Sequence, residues 1–292
     1  MNLGIAYELL GPRQSAEEGM MSQRAGLAAF EKALTVYTRE ALPQDWAKTQ
    51  MNLGVAYGEL AGRQIADEAM NSLRTAVAAF ENALTVYTKE TLRQDWASTE
   101  IDLAIASADL GARQNGEEGT NTIHSAVDAY EDVLTVYTKD TSPQAWATTQ
   151  MNLGNAYIDL WKRQRGEEGM KSMSAAVEAY KNALSIQTQQ SLPQNWAITE
   201  MNLGNAYADL GQQRGDESGT KNLHDAVEAY KNALTVQTRE TLPQAWALTQ
   251  MCLGAAYGNL GERLDGDERV KSLDAAARVR ECADRLYQKR LA

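Results

Sequence analysis

The side chains with the richest chemistry are scarce in this sequence. Histidine occurs twice, at His124 and His224, and cysteine twice, at Cys252 and Cys282. The histidines hold equivalent places in a repeating pattern, two repeats apart, which puts them on the order of 20 Å from each other across packed helices. A shared metal needs both nitrogens about 2 Å from it, so the two cannot ligate one ion and read as surface residues. Neither cysteine has a histidine placed to act as its base, and both read as structural thiols in a reducing compartment. Asp265-Gly266-Asp267-Glu268 approaches a calcium loop but lacks its full ligand spacing. No glycine-rich phosphate loop follows a strand. The sequence therefore predicts no enzyme, no catalytic residue, no metal and no cofactor.

What remains is polar recognition. Three residues about one helical turn apart recur along one face. They read Asn52, Val55, Glu59, then Asp102, Ile105, Asp109, then Asn152, Asn155, Asp159, then Asn202, Asn205, Asp209. A second theme pairs Arg13 with Glu17, Arg63 with Asp67, Arg113 with Glu117 and Arg163 with Glu167, which reads as charge pairing that helps start the following helix. Trp161 stands where other repeats carry glycine or alanine, with Lys162 and Arg163 after it, and is a candidate secondary contact. With 28 basic against 39 acidic residues, the net charge of −11 argues against nucleic acid and anionic membranes as partners.

The elements that carry these residues follow from a repeat of 50 residues without insertion or deletion. Met51-Asn52-Leu53-Gly54, Met151-Asn152-Leu153-Gly154 and Met201-Asn202-Leu203-Gly204 share a register, as do Trp46, Trp96, Trp146, Trp196 and Trp246. Trp46, Leu53, Ala56, Tyr57 and Leu60 form one helical stripe, and Leu73, Val77, Phe80, Ala83, Leu84 and Tyr87 a second. Thr91-x-x-Gln94, Thr141-x-x-Gln144, Ser191-x-x-Gln194 and Thr241-x-x-Gln244 predict capping boxes, with prolines just inside. Glycines 11, 62, 111, 211 and 261 are expected to end the first helix of each repeat as left-handed C-caps. No segment alternates like a strand. Length alone would suggest two domains, but the period predicts one all-α domain over 1–292 with about twelve helices, in units 1–41, 42–91, 92–141, 142–191, 192–241 and 242–292.

Leu53-Gly54-x-x-Tyr57 with Ala76-x-x-x-Phe80 and Ala83-Leu84 resembles the tetratricopeptide repeat (TPR) family. Asn202-Leu203-Gly204-Asn205-Ala206-Tyr207 with Ala226-x-x-x-Tyr230 and Ala233-Leu234 is still closer to its consensus. The family unit is about 34 residues; the extra residues are expected between the two helices and between units. The resemblance implies a right-handed α-solenoid whose first helices line a concave groove, with Asn52, Asn152, Asn155, Asn202 and Asn205 at positions where members hydrogen-bond a bound peptide. Where some co-chaperone members place lysine or arginine, this chain has Glu59, Asp102, Asp109, Asp159 and Asp209. The expected partner is therefore a basic peptide or protein segment. Units of this length look like those of bacterial multi-repeat proteins, some joined to signalling ATPase or caspase-like modules, so a regulatory arm is the alternative. The unequal ends suggest a further alternative, self-association through the uncapped N-terminal end. The first unit lacks the capping box and tryptophan turn, which reads as truncation. Ile5, Leu9, Met20 and Met21 leave that unit apolar, while Arg278, Arg280, Arg285, Lys289 and Arg290 give the last helix a basic capping face. No apolar run of about 20 residues and no signal-peptide pattern is present, and a cytoplasmic location is expected.

Overall fold

The structure, a computed structural model, describes residues 16–291. Ile5, Leu9, Gly11, Arg13 and the expected first helix around them lie outside the described residues, as do the side chains of Glu17, Arg280, Cys282, Arg285, Lys289 and Arg290. Eleven helices occupy the described residues and no strand does. The chain divides into two compact units, residues 1–138 and 139–292. The first holds α1 (Ala16–Leu34), α2 (Pro43–Ala61), α3 (Ala66–Leu84), α4 (Arg93–Arg113) and α5 (Gly116–Leu134). The second holds α6 (Pro143–Arg163), α7 (Gly166–Leu184), α8 (Pro193–Gln213), α9 (Glu217–Leu234), α10 (Pro243–Arg263) and α11 (Gly266–Leu291). The fold is all-α and TPR-like: antiparallel hairpins, α2 on α3, α4 on α5, α6 on α7, α8 on α9 and α10 on α11, recur with the sequence period.

Helix boundaries correct three expectations. Most of the extra residues are not between the helices of a hairpin; they lengthen the helices, and only Gln114 and Asn115 separate α4 from α5. A link that short must reverse the chain abruptly. The left-handed residue that makes this possible sits at the start of the second helix, at Gly116, Gly166 and Gly266, and as Ala66 in the second repeat. Gly111, Gly211 and Gly261, expected as C-caps, lie inside their helices. Their role is contact: a Cβ on Gly111 would come within 2.7 Å of Ile123, and one on Gly211 within 2.7 Å of Leu223. Gly62 does follow α2, but in right-handed conformation.

The capping boxes do not form. Leu92, Ser142, Leu192 and Leu242 occupy the N-cap positions, one residue later than expected, without side-chain caps. The hydroxyls close the turn between repeats instead. Thr88 Oγ1 and Thr91 Oγ1 lie 2.8 Å apart, and the Thr91 backbone N–H donates to Thr88 Oγ1 at 3.3 Å. The Thr188–Ser191 and Thr238–Thr241 pairs repeat this at 2.9 Å. The prolines do occupy the first turn of α2, α6, α8 and α10, where no amide donor is needed. Glu167 pairs with Lys171 at 2.9 Å, one turn along its own helix.

In three of the hairpins an aromatic ring of the second helix packs against a glycine of the first. Phe80, Tyr180 and Tyr230 are fully buried, and a Cβ on Gly54, Gly154 or Gly204 would come within 2.6–2.7 Å of their rings. The recurrent tryptophans hold the repeat junctions. Arg39 lies 5.9 Å from the Trp46 ring centre, Lys89 lies 5.1 Å from Trp96, and Lys139 lies 5.6 Å from Trp146, each a cation–π contact across the turn. In the second unit Gln187 and Gln237 replace the tyrosine seen at 37, 87 and 137, and each accepts from a buried threonine (Thr199, Thr249) at 2.6 Å.

The ring–glycine contact separates two glycines four residues apart on α2. Gly54→Ala drives a methyl into Phe80 and is expected to lose about 1–3 kcal/mol. A methyl added at Gly58 would meet nothing within 4 Å, so Gly58→Ala is expected to gain about 0.5–1 kcal/mol from lower unfolded-state entropy. Urea unfolding of both variants checks the opposite signs.

Candidate functional site

The polar face read from the sequence lies on α2, α4, α6 and α8, the first helices of their hairpins. Within each unit these helices also touch their counterparts directly, α2 with α4, α6 with α8, and α8 with α10. Side chains one repeat apart can therefore meet on this side, and in the second unit they do.

There the buried rings carry hydroxyls, and the asparagines receive them. Tyr180 Oη donates to Asn155 Oδ1 at 2.8 Å, and Tyr230 Oη donates to Asn205 Oδ1 at 2.8 Å. Asn202 Nδ2 donates to the same Asn155 oxygen at 3.0 Å, joining successive repeats. The next counterpart of Asn202 is Cys252, which is hydrogen-bonded to Tyr230 and whose thiol burial pushes up. Burial raises the Tyr180 and Tyr230 hydroxyls far above their usual value, so both stay protonated donors. The Asn155 oxygen accepts twice and is filled, which leaves its amide N–H groups for a partner, while the Asn205 oxygen keeps one lone pair beside its N–H groups. Asn152 is half-buried. In the second repeat the ring is Phe80, which has no hydroxyl to donate, and the residue beside it is Val55. Asn52 Nδ2 there is buried without a hydrogen-bond partner.

The acidic residues divide by environment. Glu59 is exposed and accepts from Gln23 Nε2 at 3.3 Å. Asp159 pairs with Lys162 at 2.8 Å. Burial raises Asp209, while the Lys162 charge opposes that rise. Asp102 differs: burial pushes its carboxyl up to about 6, with no cation to offset it. Asp102 and Asp109 both bear on Tyr130, whose hydroxyl burial and these two charges push well up. The structure thus brings Asn155 to Asn202, Asp209 to the field of Lys162, and Asp102 with Asp109 around Tyr130.

Two carboxylates escaped the sequence reading. Glu200 is buried and pushed up to about 7, although it accepts from Asn232 Nδ2 at 3.3 Å. Glu100 is raised by burial and by Asp132, with Lys89 opposing. Both stand where other repeats have Gln50, Gln150 and Gln250, and a glutamate among glutamines of one register is the signal that would have found them. The tyrosine–asparagine pairing was legible in the same way, since Val55 goes with Phe80 while Asn155 and Asn205 go with tyrosines.

Trp161 is half-buried against the Met173–Tyr180 core cluster. His124 and His224 are exposed. Among the described residues no group of three or more His, Cys, Asp or Glu could hold a metal ion. No described helix is long and apolar enough to cross a membrane.

Asp102 and Glu200 bind a proton more tightly folded than unfolded, about 6 against 3.8 and about 7 against 4.5. Their contribution to stability is full below pH 4 or so and is lost as pH rises through 6–7. Asp102→Asn mimics the protonated form. Relative to the parent, it is expected to gain on the order of 1–2 kcal/mol between pH 5 and 8, after discounting for solvent screening. Urea midpoints at the two pH values measure this, and an unchanged difference would show that Asp102 is well solvated.

No family model matches the chain, and no curated protein matches it in sequence. Solved structures do. A Rap conjugation gene regulator of the plasmid pLS20, in complex with the Phr* peptide, is 14% identical, with 97% of this chain and 73% of that one covered and a TM-score of 0.46. The quorum sensor NprR from B. thuringiensis, in apo form, is 14% identical over 97% of this chain and 80% of its own, with a TM-score of 0.42. The C-terminal part of a TPR repeat-containing protein from Cytophaga hutchinsonii is 14% identical over 92% and 99%, with a TM-score of 0.31.

Proposed function

We propose that the chain is a non-catalytic scaffold that binds a basic protein or peptide segment along its first helices. The observation that carries this reading is Asp102: a half-buried carboxylate whose desolvation no cation offsets. Such a group gains more from an arriving lysine or arginine than a solvated one does, because much of its desolvation is already in place. Asp109 lies on the same helix face two turns along. In the second unit, taken by itself, the amide groups of Asn155, Asn202 and Asn205 offer donors suited to a peptide backbone. Asp159 contributes less, since Lys162 already neutralises it.

Fluorescence anisotropy with labelled 15-residue peptides of graded charge tests the reading. Lysine- and arginine-rich peptides are expected to bind, more weakly in high salt and below pH 6 or so, where Asp102 takes up its proton. Asp102→Lys with Asp109→Lys is expected to weaken binding at least about tenfold with helicity retained. Equal affinity for acidic peptides, or an unaltered affinity in the double variant, rejects the proposal.

A second reading, self-association, has one observation behind it. Met51, Met151 and Met201 pack into core clusters, whereas Met251 is 63% exposed beside Leu248 at 50%. A second copy stacking there would bury the surface that earlier repeats cover. Sedimentation of Met251→Glu against the parent distinguishes this, the variant being expected to remain a monomer at concentrations where the parent associates.

A further inference from the structure

The repeats are so alike that a position where one departs exposes what the others fill. At the tip of the α8–α9 hairpin, Arg263 of α10 reaches back and donates from Nη1 to the backbone carbonyl of Arg214 at 2.6 Å. The guanidinium occupies the space above Gly219, where a Cβ would lie 2.5 Å from the same nitrogen. One repeat earlier the residue in the place of Arg263 is Gln213, and the glycine is Gly169. A Cβ on Gly169 would meet Gln164 O at 3.1 Å and Trp161 Cδ1 at 3.6 Å, with no guanidinium among its nearest neighbours. Glutamine falls short of arginine's reach, and a cavity of about 370 Å³ stands at this tip, lined by Trp161, Lys162, Arg165, Gln213 and Met170 among others. That is large enough for a small organic ligand.

Its wall is also specific to this repeat. Gly211 and Gly261 are closed in by branched Leu223 and Leu273, which a Cβ would strike at 2.7 and 2.8 Å. In the fourth repeat the corresponding core residue is the unbranched Met173, and Trp161 stands in the glycine's place. The indole of Trp161 and the thioether of Met170 form the apolar part of the lining. Lys162 and Arg165 supply positive charge, and no carboxylate lines the cavity. Asp159 engages Lys162 at 2.8 Å, which leaves Arg165 as the principal anion-binding group, able to hold a carboxylate through two parallel hydrogen bonds.

We propose that this cavity is a binding site for a small aromatic carboxylate, its ring against Trp161 and its carboxylate on Arg165 with Lys162. The site lies in the second unit and does not depend on the peptide-binding reading. Although Arg263 shows that a guanidinium suits the shape of the equivalent space, two lining cations oppose a cationic ligand here.

Calorimetric titration of the full chain with 1-naphthoate tests the proposal, with 1-naphthylmethylammonium as the cationic counterpart. Naphthoate is expected to bind with a Kd on the order of 0.1–1 mM, and the ammonium compound at least about tenfold more weakly. Gln213→Arg restores the side chain that fills the next hairpin and is expected to abolish naphthoate binding without lowering the Tm. Arg165→Gln, at an exposed position, is expected to weaken it at least about tenfold and keeps the test valid if the first variant folds poorly. A peptide ending in phenylalanine with a free carboxylate, compared with its amide, distinguishes a chain terminus from a free acid as the source of the ligand. No naphthoate binding at millimolar concentration, equal or tighter binding of the ammonium compound, or unchanged binding in both variants overturns it.

Discussion

In three of the hairpins an aromatic ring approaches a bare stretch of backbone, and the other contacts of those repeats are arranged around that approach. Phe80 lies on Gly54, Tyr180 on Gly154 and Tyr230 on Gly204. The missing Cβ lets the ring approach the backbone of the first helix at distances a side chain there would block. The burial of these rings, worth about 1.5–3 kcal/mol for a large apolar side chain, recurs along the chain. A helix held so closely leaves little freedom in what its neighbouring side chains can reach.

The polar face follows from this. A tyrosine pinned at the glycine delivers its hydroxyl to the next turn of the first helix, where Asn155 and Asn205 accept it at 2.8 Å. A phenylalanine there asks for nothing polar, and Val55 stands beside Phe80. The third repeat belongs to neither type. Its register sets Tyr130 with Ala104 and Ile105, and the hydroxyl lies under the influence of Asp102 and Asp109. The uncompensated carboxylate of Asp102 is thus a consequence of one repeat departing from the asparagine solution. Lys162 makes Asp159 and Asp209, the second unit's counterparts of Asp109, electrostatically quieter.

Variation between repeats is placed where the core tolerates it. Residues of the ring–glycine contact change little from repeat to repeat, since each change must be matched across the hairpin. The hairpin tips and the outward turns of the first helices are freer. Gln213 in place of arginine opens space at one tip, which Trp161 and Met170 line. Glu200 among glutamines creates a buried acid whose proton affinity lies near neutrality.

The helical hairpins, their period and the buried stripes were all legible in the chain's residue order, because they depend on spacing within a single helix. The same order marked the first-helix face and Trp161 as unusual. It misassigned the hydroxyls at 91, 191 and 241 to helix caps and the glycines at 111, 211 and 261 to helix ends. Those residue types favour both the local role and the tertiary one, and spacing cannot separate them. It took the packed helices to reveal that the hydroxyls close the inter-repeat turn and that the glycines make room for Ile123, Leu223 and Leu273. The same packing leaves Asp159 paired and Asp102 without a cation. Each of these turns on what approaches from another helix, and desolvation and charge pairing are set by such neighbours more than by the residue itself.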